Sequence, residues 1–173
     1  MNPYRLITGR HIDLSKLNAN ERKFLSEINA RYQEEPAWTK FASFWTTKFL
    51  EAQLDESSPV YRLCQDLEAR LGIAQGKVAL PGYRDYLADL IAERYGTRYK
   101  FCKEAGVDQG QLSRVLAGRS ELSIQFLDKI LSKLDATLTI KPRDEVRAEV
   151  EPARARVVLS AITEARRHSR ASA

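Results

Sequence analysis

Residues 98–120 read RYKFCKEAGVDQGQLSRVLAGRS, and their spacing predicts two short helices that meet across a tight turn. Phe101 and Ala105 stand four apart on the first helix, where the small Ala105 lets the second helix cross closely. Gly106 is placed to supply the positive φ of a sharp turn, because a residue without Cβ enters the left-handed region freely. Val107 then plugs the core and Asp108 offers a side-chain N-cap to the second helix. Leu112, Val115 and Leu116 turn inward on that helix, which leaves Gln109, Gly110, Ser113, Arg114 and Ala117 on its outer face. Gly118 closes it.

Working outward, Leu87, Leu90, Ile91 and Tyr95 mark a preceding helix that Gly96 ends. On the other side Ser123 caps a helix reaching Leu134, with Ile124, Leu127, Ile130, Leu131 and Leu134 toward the core. Thr137 to Ile140 alternates β-branched and apolar residues and reads as a short strand ended by Lys141 and Pro142, with the Tyr4 to Thr8 stretch as a candidate partner. Nearer the N-terminus, Asn18 or Asn20 caps a helix carrying Phe24, Leu25, Ile28 and Tyr32. Trp38, Phe41, Ala42, Trp45 and Phe49 recur at steps of three and four, which points to core or a dimer interface rather than a stacking platform or ligand pocket. Ser58 and Pro59 open a third helix through Val60, Leu63, Cys64, Leu67 and Leu71, and Gly72 reads as its left-handed stop. Gly76, Pro81 and Gly82 break the pattern and place a boundary there.

The expected fold is therefore mainly α: an N-terminal helical region over 1–82, a compact helical module over 83–142, room for one short strand pair, and a tail over 143–173. In that tail Val157, Val158, Leu159 and Ile162 favour a short helix while their neighbours favour disorder. The terminal Arg166, Arg167 and Arg170 read as a solvated cluster.

Apolar residues make up 43% and charged residues 29%, a balance that supports a folded core. No apolar run is long enough to span a bilayer and no secretory leader is visible, so a cytoplasmic protein without membrane contact is expected. Cys64 and Cys102 fall among helically spaced apolar residues, and with His11 and His168 they offer no metal-ligand spacing. No metal, cofactor or catalytic residue is expected: there is no Gly-rich phosphate loop and no nucleophile beside a base. The net charge of +5 is concentrated. Residues 94–119 carry Arg94, Arg98, Lys100, Lys103, Arg114 and Arg119 against only Glu104 and Asp108, as a polyanion-binding surface requires.

Taken together, Gly106 and Val107 in the turn, Asp108 at the cap, Leu112 and Ser113 on the second helix, the run from Leu116 to Arg119 and the helix ending at Leu134 resemble the Cro/cI, or lambda repressor-like, helix-turn-helix of the xenobiotic-response-element family. The resemblance covers about a third of the chain. It implies a lambda repressor-like bundle whose second helix enters the major groove of double-stranded DNA. It further implies that Gln109, Gly110, Ser113 and Arg114 face the base edges, Gln matching adenine and Arg matching guanine, while Arg98, Lys100, Gln111 and Arg119 hold phosphates. Two positions depart from the family: Arg98 stands where glutamine is usual, and Gly110 where many members carry a base-reading side chain. That glycine either permits close backbone approach to DNA or has no role. The implied function is sequence-specific transcription regulation, as a repressor acting as a homodimer through the N-terminal region. The alternative is an antitoxin that binds a cognate toxin or other protein and autoregulates through the same module.

Overall fold

The computed structural model describes residues 4–160 and is mainly helical, with one short antiparallel strand pair. Strands β1 (Tyr4–Arg5) and β2 (His11–Ile12) pair Tyr4 with Ile12 and Arg5 with His11 across a turn in which Gly9 has φ +92°. The helices are α1 (Ala19–Gln33), α2 (Trp38–Glu51), α3 (Pro59–Ala74), α4 (Tyr83–Tyr95), α5 (Arg98–Ala105), α6 (Gln109–Leu116), α7 (Ile124–Lys133) and α8 (Arg143–Val150), and residues 152–160 are also helical. Among the described residues no helix is long and apolar enough to cross a membrane.

The described chain divides into two compact units. Residues 4–7, 11–80 and 143–160 form the first, residues 8–10 and 81–142 the second. In the first, α1, α2 and α3 bury one stripe each. Asn18, rather than Asn20, starts α1 through a capping box with Glu21, and Ser58 starts α3 with Pro59 in its first turn. The α2 aromatics are core: Phe41, Trp45 and Phe49 are buried, with Tyr32 edge-on to Phe41 at 5.3 Å and Phe24 edge-on to Phe49 at 5.8 Å. Each such ring contributes about 1.5–3 kcal/mol on leaving water.

A buried ion pair ties this unit together. Arg70 Nε donates to Asp66 Oδ2 at 2.7 Å within α3, and Tyr4 Oη donates to the same oxygen at 2.6 Å. The backbone N–H of Ile7 donates to Asp66 Oδ1 at 2.6 Å. Arg70 also donates to the carbonyls of Arg5 at 3.1 Å and Glu149 at 3.2 Å, so the strand pair, α3 and the end of α8 meet at one guanidinium. Both charges are satisfied, as burial demands.

Four sequence expectations are corrected. Gly72 does not stop α3 in a left-handed turn. It lies inside the helix, and a Cβ there would stand 2.5 Å from Val78 Cγ2 and 3.2 Å from Trp38 Nε1, so its role is close packing; Gly76, at φ +66°, follows the helix end. Thr137 to Ile140 is not a strand, because β1 finds its partner in β2, twelve residues from the N-terminus, where closure costs least. Ile124 is 81% exposed rather than in the core, since it occupies the first position of α7. Finally, residues 143–160 are not a tail apart: Ala155 and Leu159 are buried in the core of the first unit, and Arg70 holds Glu149. Ile162, Arg166, Arg167 and Arg170 lie outside the described residues.

Candidate nucleic-acid interface

The second unit surrounds a small core of Leu87, Ile91, Phe101, Leu112, Ile130 and Leu134. Its first turn-forming element is local. Thr97 caps α5 by accepting from the Lys100 N–H at 3.2 Å, and Gly106 ends it in the left-handed region at φ 62°, ψ 40°. Asp108 then caps α6, accepting from the Gln111 N–H at 2.6 Å. Gly118, at φ +71°, lets the chain leave α6, and the Arg119 N–H returns to the Arg114 carbonyl at 2.8 Å.

Two cations that the sequence reading passed over brace this arrangement. Arg84, in the first turn of α4, donates through Nε to the Val115 carbonyl at 2.9 Å. Its guanidinium also lies 4.8 Å from the Tyr83 ring. Lys129, on α7, donates through Nζ to the Gly106 carbonyl at 2.6 Å. One holds the far end of α6 and the other holds the corner before it. No local pattern announces either contact, because the partners lie 31 and 23 residues away.

The α6 side chains sort as their spacing dictates. Leu112 and Val115 are buried and Leu116 is half-buried, while Gln109, Gly110, Gln111 and Arg114 are exposed and Ser113 is half-buried. Arg98 and Lys100 are exposed in the first turn of α5, and Arg119 is exposed just beyond α6. A Cβ placed on Gly110 would stand 3.3 Å from Asp108 Oδ1 and 3.4 Å from Arg114 Nη1. Gly110 thus leaves room for the Arg114 guanidinium to fold back along the helix. Its backbone is not left-handed, so glycine there is a matter of space and not of φ.

The exposed cations of α5, of α6 and of the turn after it are uncompensated. Among the described residues no carboxylate lies within 4.0 Å of the charged nitrogens of Arg98, Lys100, Lys103, Arg114 or Arg119. Arg98 and Lys100 sit at the positive end of the α5 dipole, where a cation is locally disfavoured and an anion is welcome. Cys102 is buried under this surface, and burial, followed by the Asp108 charge, raises its thiol above the ordinary value, so it is not an activated nucleophile.

The first unit carries a separate feature, a groove of about 690 Å³ lined by Trp38, Trp45, Leu50 and Tyr61 with Asp55, Glu56 and Glu68. Leu50 is 71% exposed in it. No protein-family model, curated protein or solved structure matches this chain.

Proposed function

We propose that the chain is a sequence-specific regulator that binds double-stranded DNA through a lambda repressor-like helix-turn-helix formed by α5 and α6. The observation that carries the proposal is the polar outer side of α6, with Gln109, Gly110 and Arg114 exposed, between carbonyls that Arg84 and Lys129 hold at its end and at the corner before it, with further exposed cations at Arg98, Lys100, Lys103 and Arg119. In this reading α6 enters the major groove. Arg114 reads guanine in bidentate geometry, Gln109 reads adenine, Ser113 adds a hydroxyl contact, and the backbone at Gly110 comes close to the bases. Arg98, Lys100, Gln111 and Arg119 grip phosphates on either side and fix the register. Two copies occupying half-sites about 34–36 Å apart repress by blocking the operator, with no chemical step.

Selection of bound fragments from genomic DNA by the purified chain tests this reading. A recurring motif with two half-sites supports it, and recovery without sequence enrichment contradicts it. A second reading rests on the groove of the first unit: a lining of apolar side chains, exposed Leu50 among them, together with Asp55, Glu56 and Glu68 is a surface a partner protein can use. The chain is then an antitoxin whose first unit holds a toxin. A small reading frame adjacent to its gene, whose product co-purifies with the chain, favours that alternative.

A further inference from the structure

The groove between α2 and α3 in the first unit is lined by apolar and acidic side chains and by no lysine, arginine or histidine. Trp45 is buried in that lining, Trp38 and Tyr61 are half-buried, and Leu50 stands 71% exposed. Asp55 and Glu56 are exposed in the same lining, while Glu68 is half-buried. Glu68 Oε2 accepts from Trp45 Nε1 at 2.7 Å, which fixes the carboxylate beside the indole. Among the described residues no charged nitrogen lies within 4.0 Å of Asp55, Glu56 or Glu68. Arg62, on the same helix as Glu68, reaches Gln65 Oε1 at 3.4 Å instead.

We propose that this groove receives an arginine side chain, flanked by apolar residues, from a segment of a partner protein. Each part of the lining selects one part of that occupant. A half-buried carboxylate without a counter-ion favours a cation, because only pairing and hydrogen bonding offset its loss of water. Beside aromatic rings the fitting cation is a guanidinium, which is less strongly hydrated than an ammonium, stacks on ring faces and meets a carboxylate through a planar fork. Glu68 Oε1, which the Trp45 bond does not use, is an acceptor for it. Leu50 offers contact to the apolar neighbours of the arginine. Asp55 and Glu56 add charge that draws a basic segment in and turns an acidic one away.

The groove, at about 690 Å³, has the volume to hold a small amine as well. Sites for small ligands, however, enclose about 70–90% of the ligand surface, whereas Leu50, Asp55 and Glu56 are open to water. A protein segment brings the further contacts that such an open site lacks. The inference rests on the partner-protein reading of the groove and is independent of DNA binding by the second unit.

Selection from a displayed library of random peptides, with the full chain as bait, tests it. Enriched peptides are expected to share an arginine next to leucine or an aromatic residue, and fluorescence anisotropy on a labelled copy then measures affinity. Replacing that arginine by citrulline, which keeps the shape and removes the charge, is expected to weaken binding about tenfold or more, and so is Glu68→Gln, which keeps an oxygen for Trp45. Leu50→Ser, at an exposed position, weakens binding with helix content unchanged by circular dichroism. No enrichment, enrichment without basic residues, or an affinity indifferent to both citrulline and Glu68→Gln overturns the proposal. Higher peptide affinity on replacing Arg166, Arg167 and Arg170 by glutamine would give the groove to the chain's own end and overturn the partner. Arginine peptides bound at the groove with no adjacent gene product co-purifying sink the antitoxin reading and leave the groove standing. A co-purifying product that Glu68→Gln and Leu50→Ser both leave attached does the reverse.

Discussion

The Nε of Arg84 donates to the Val115 carbonyl at 2.9 Å, which joins the first turn of α4 to the last turn of α6 across 31 residues. The Val115 carbonyl also accepts from the Gly118 N–H at 3.0 Å, so Arg84 is a second, charged donor to a helix-end carbonyl. The end of α6 is therefore tied to α4 by a residue outside the α5–α6 pair.

Arg84→Ala accordingly removes a charged donor from a half-buried carbonyl and costs roughly 1.5–3 kcal/mol in urea unfolding. Affinity for all duplexes falls together, because the helix loses its angle and no base contact is touched. A selective loss at one base pair would show that Arg84 itself reads sequence.

Gly110→Ala separates backbone from space. The helical φ there suits alanine, which gains about 0.5–1 kcal/mol over glycine, and the Cβ meets only the movable ends of Asp108 and Arg114. Thermal unfolding is expected to shift upward while base preference opposite Arg114 changes, since its guanidinium can no longer fold back. Lowered stability would mean that the Asp108 cap had been displaced.

Asp66→Ala leaves the Arg70 charge buried without its counter-ion and is expected to cost about 3–5 kcal/mol in the first unit. Burial, and next the Asp66 charge, raise the Tyr4 hydroxyl well above its ordinary 10.0. The folded state thus favours protonated Tyr4. Its contribution is complete below pH 10.0 and is lost as pH rises through the folded value. Urea midpoints should fall in alkali for the wild type and fall less for Tyr4→Phe; equal slopes would remove Tyr4 from the alkaline transition.

Much of this was legible in the sequence, and the pattern of misses is physical. Asn18, Ser58, Asp108 and Ser123 all cap helices through their own side chains, which is chemistry contained within three residues. Gly106 likewise sits where a left-handed corner is needed, and the inward set of α6 follows from periodicity alone. What local pattern does not carry is partner choice. Gly72 looked like a stop because Val78 and Trp38, which require its missing Cβ, are distant in sequence or beyond the helix end. β1 chose β2 over the Thr137 segment, and the helical residues after Pro142 joined the first unit through Arg70, Ala155 and Leu159. Arg84 and Lys129 were invisible for the same reason.

Arg114→Ala and Lys100→Ala divide the work of the proposed interface. The first is expected to cost about 1–3 kcal/mol on the cognate site and to relax preference at one base pair. The second weakens every duplex about equally and reduces the salt slope by about one unit. Fluorescence anisotropy on cognate and scrambled duplexes measures both, and reversed behaviour would exchange their roles.

The most direct measurement is a salt titration of the purified chain against duplex DNA, beginning at low ionic strength. Binding that weakens linearly in log affinity against log salt, with a slope of several units that shrinks when Arg98, Lys100 and Arg119 are neutralised, is the predicted result. No binding even at the lowest salt would contradict the account, however well the α5–α6 corner is folded.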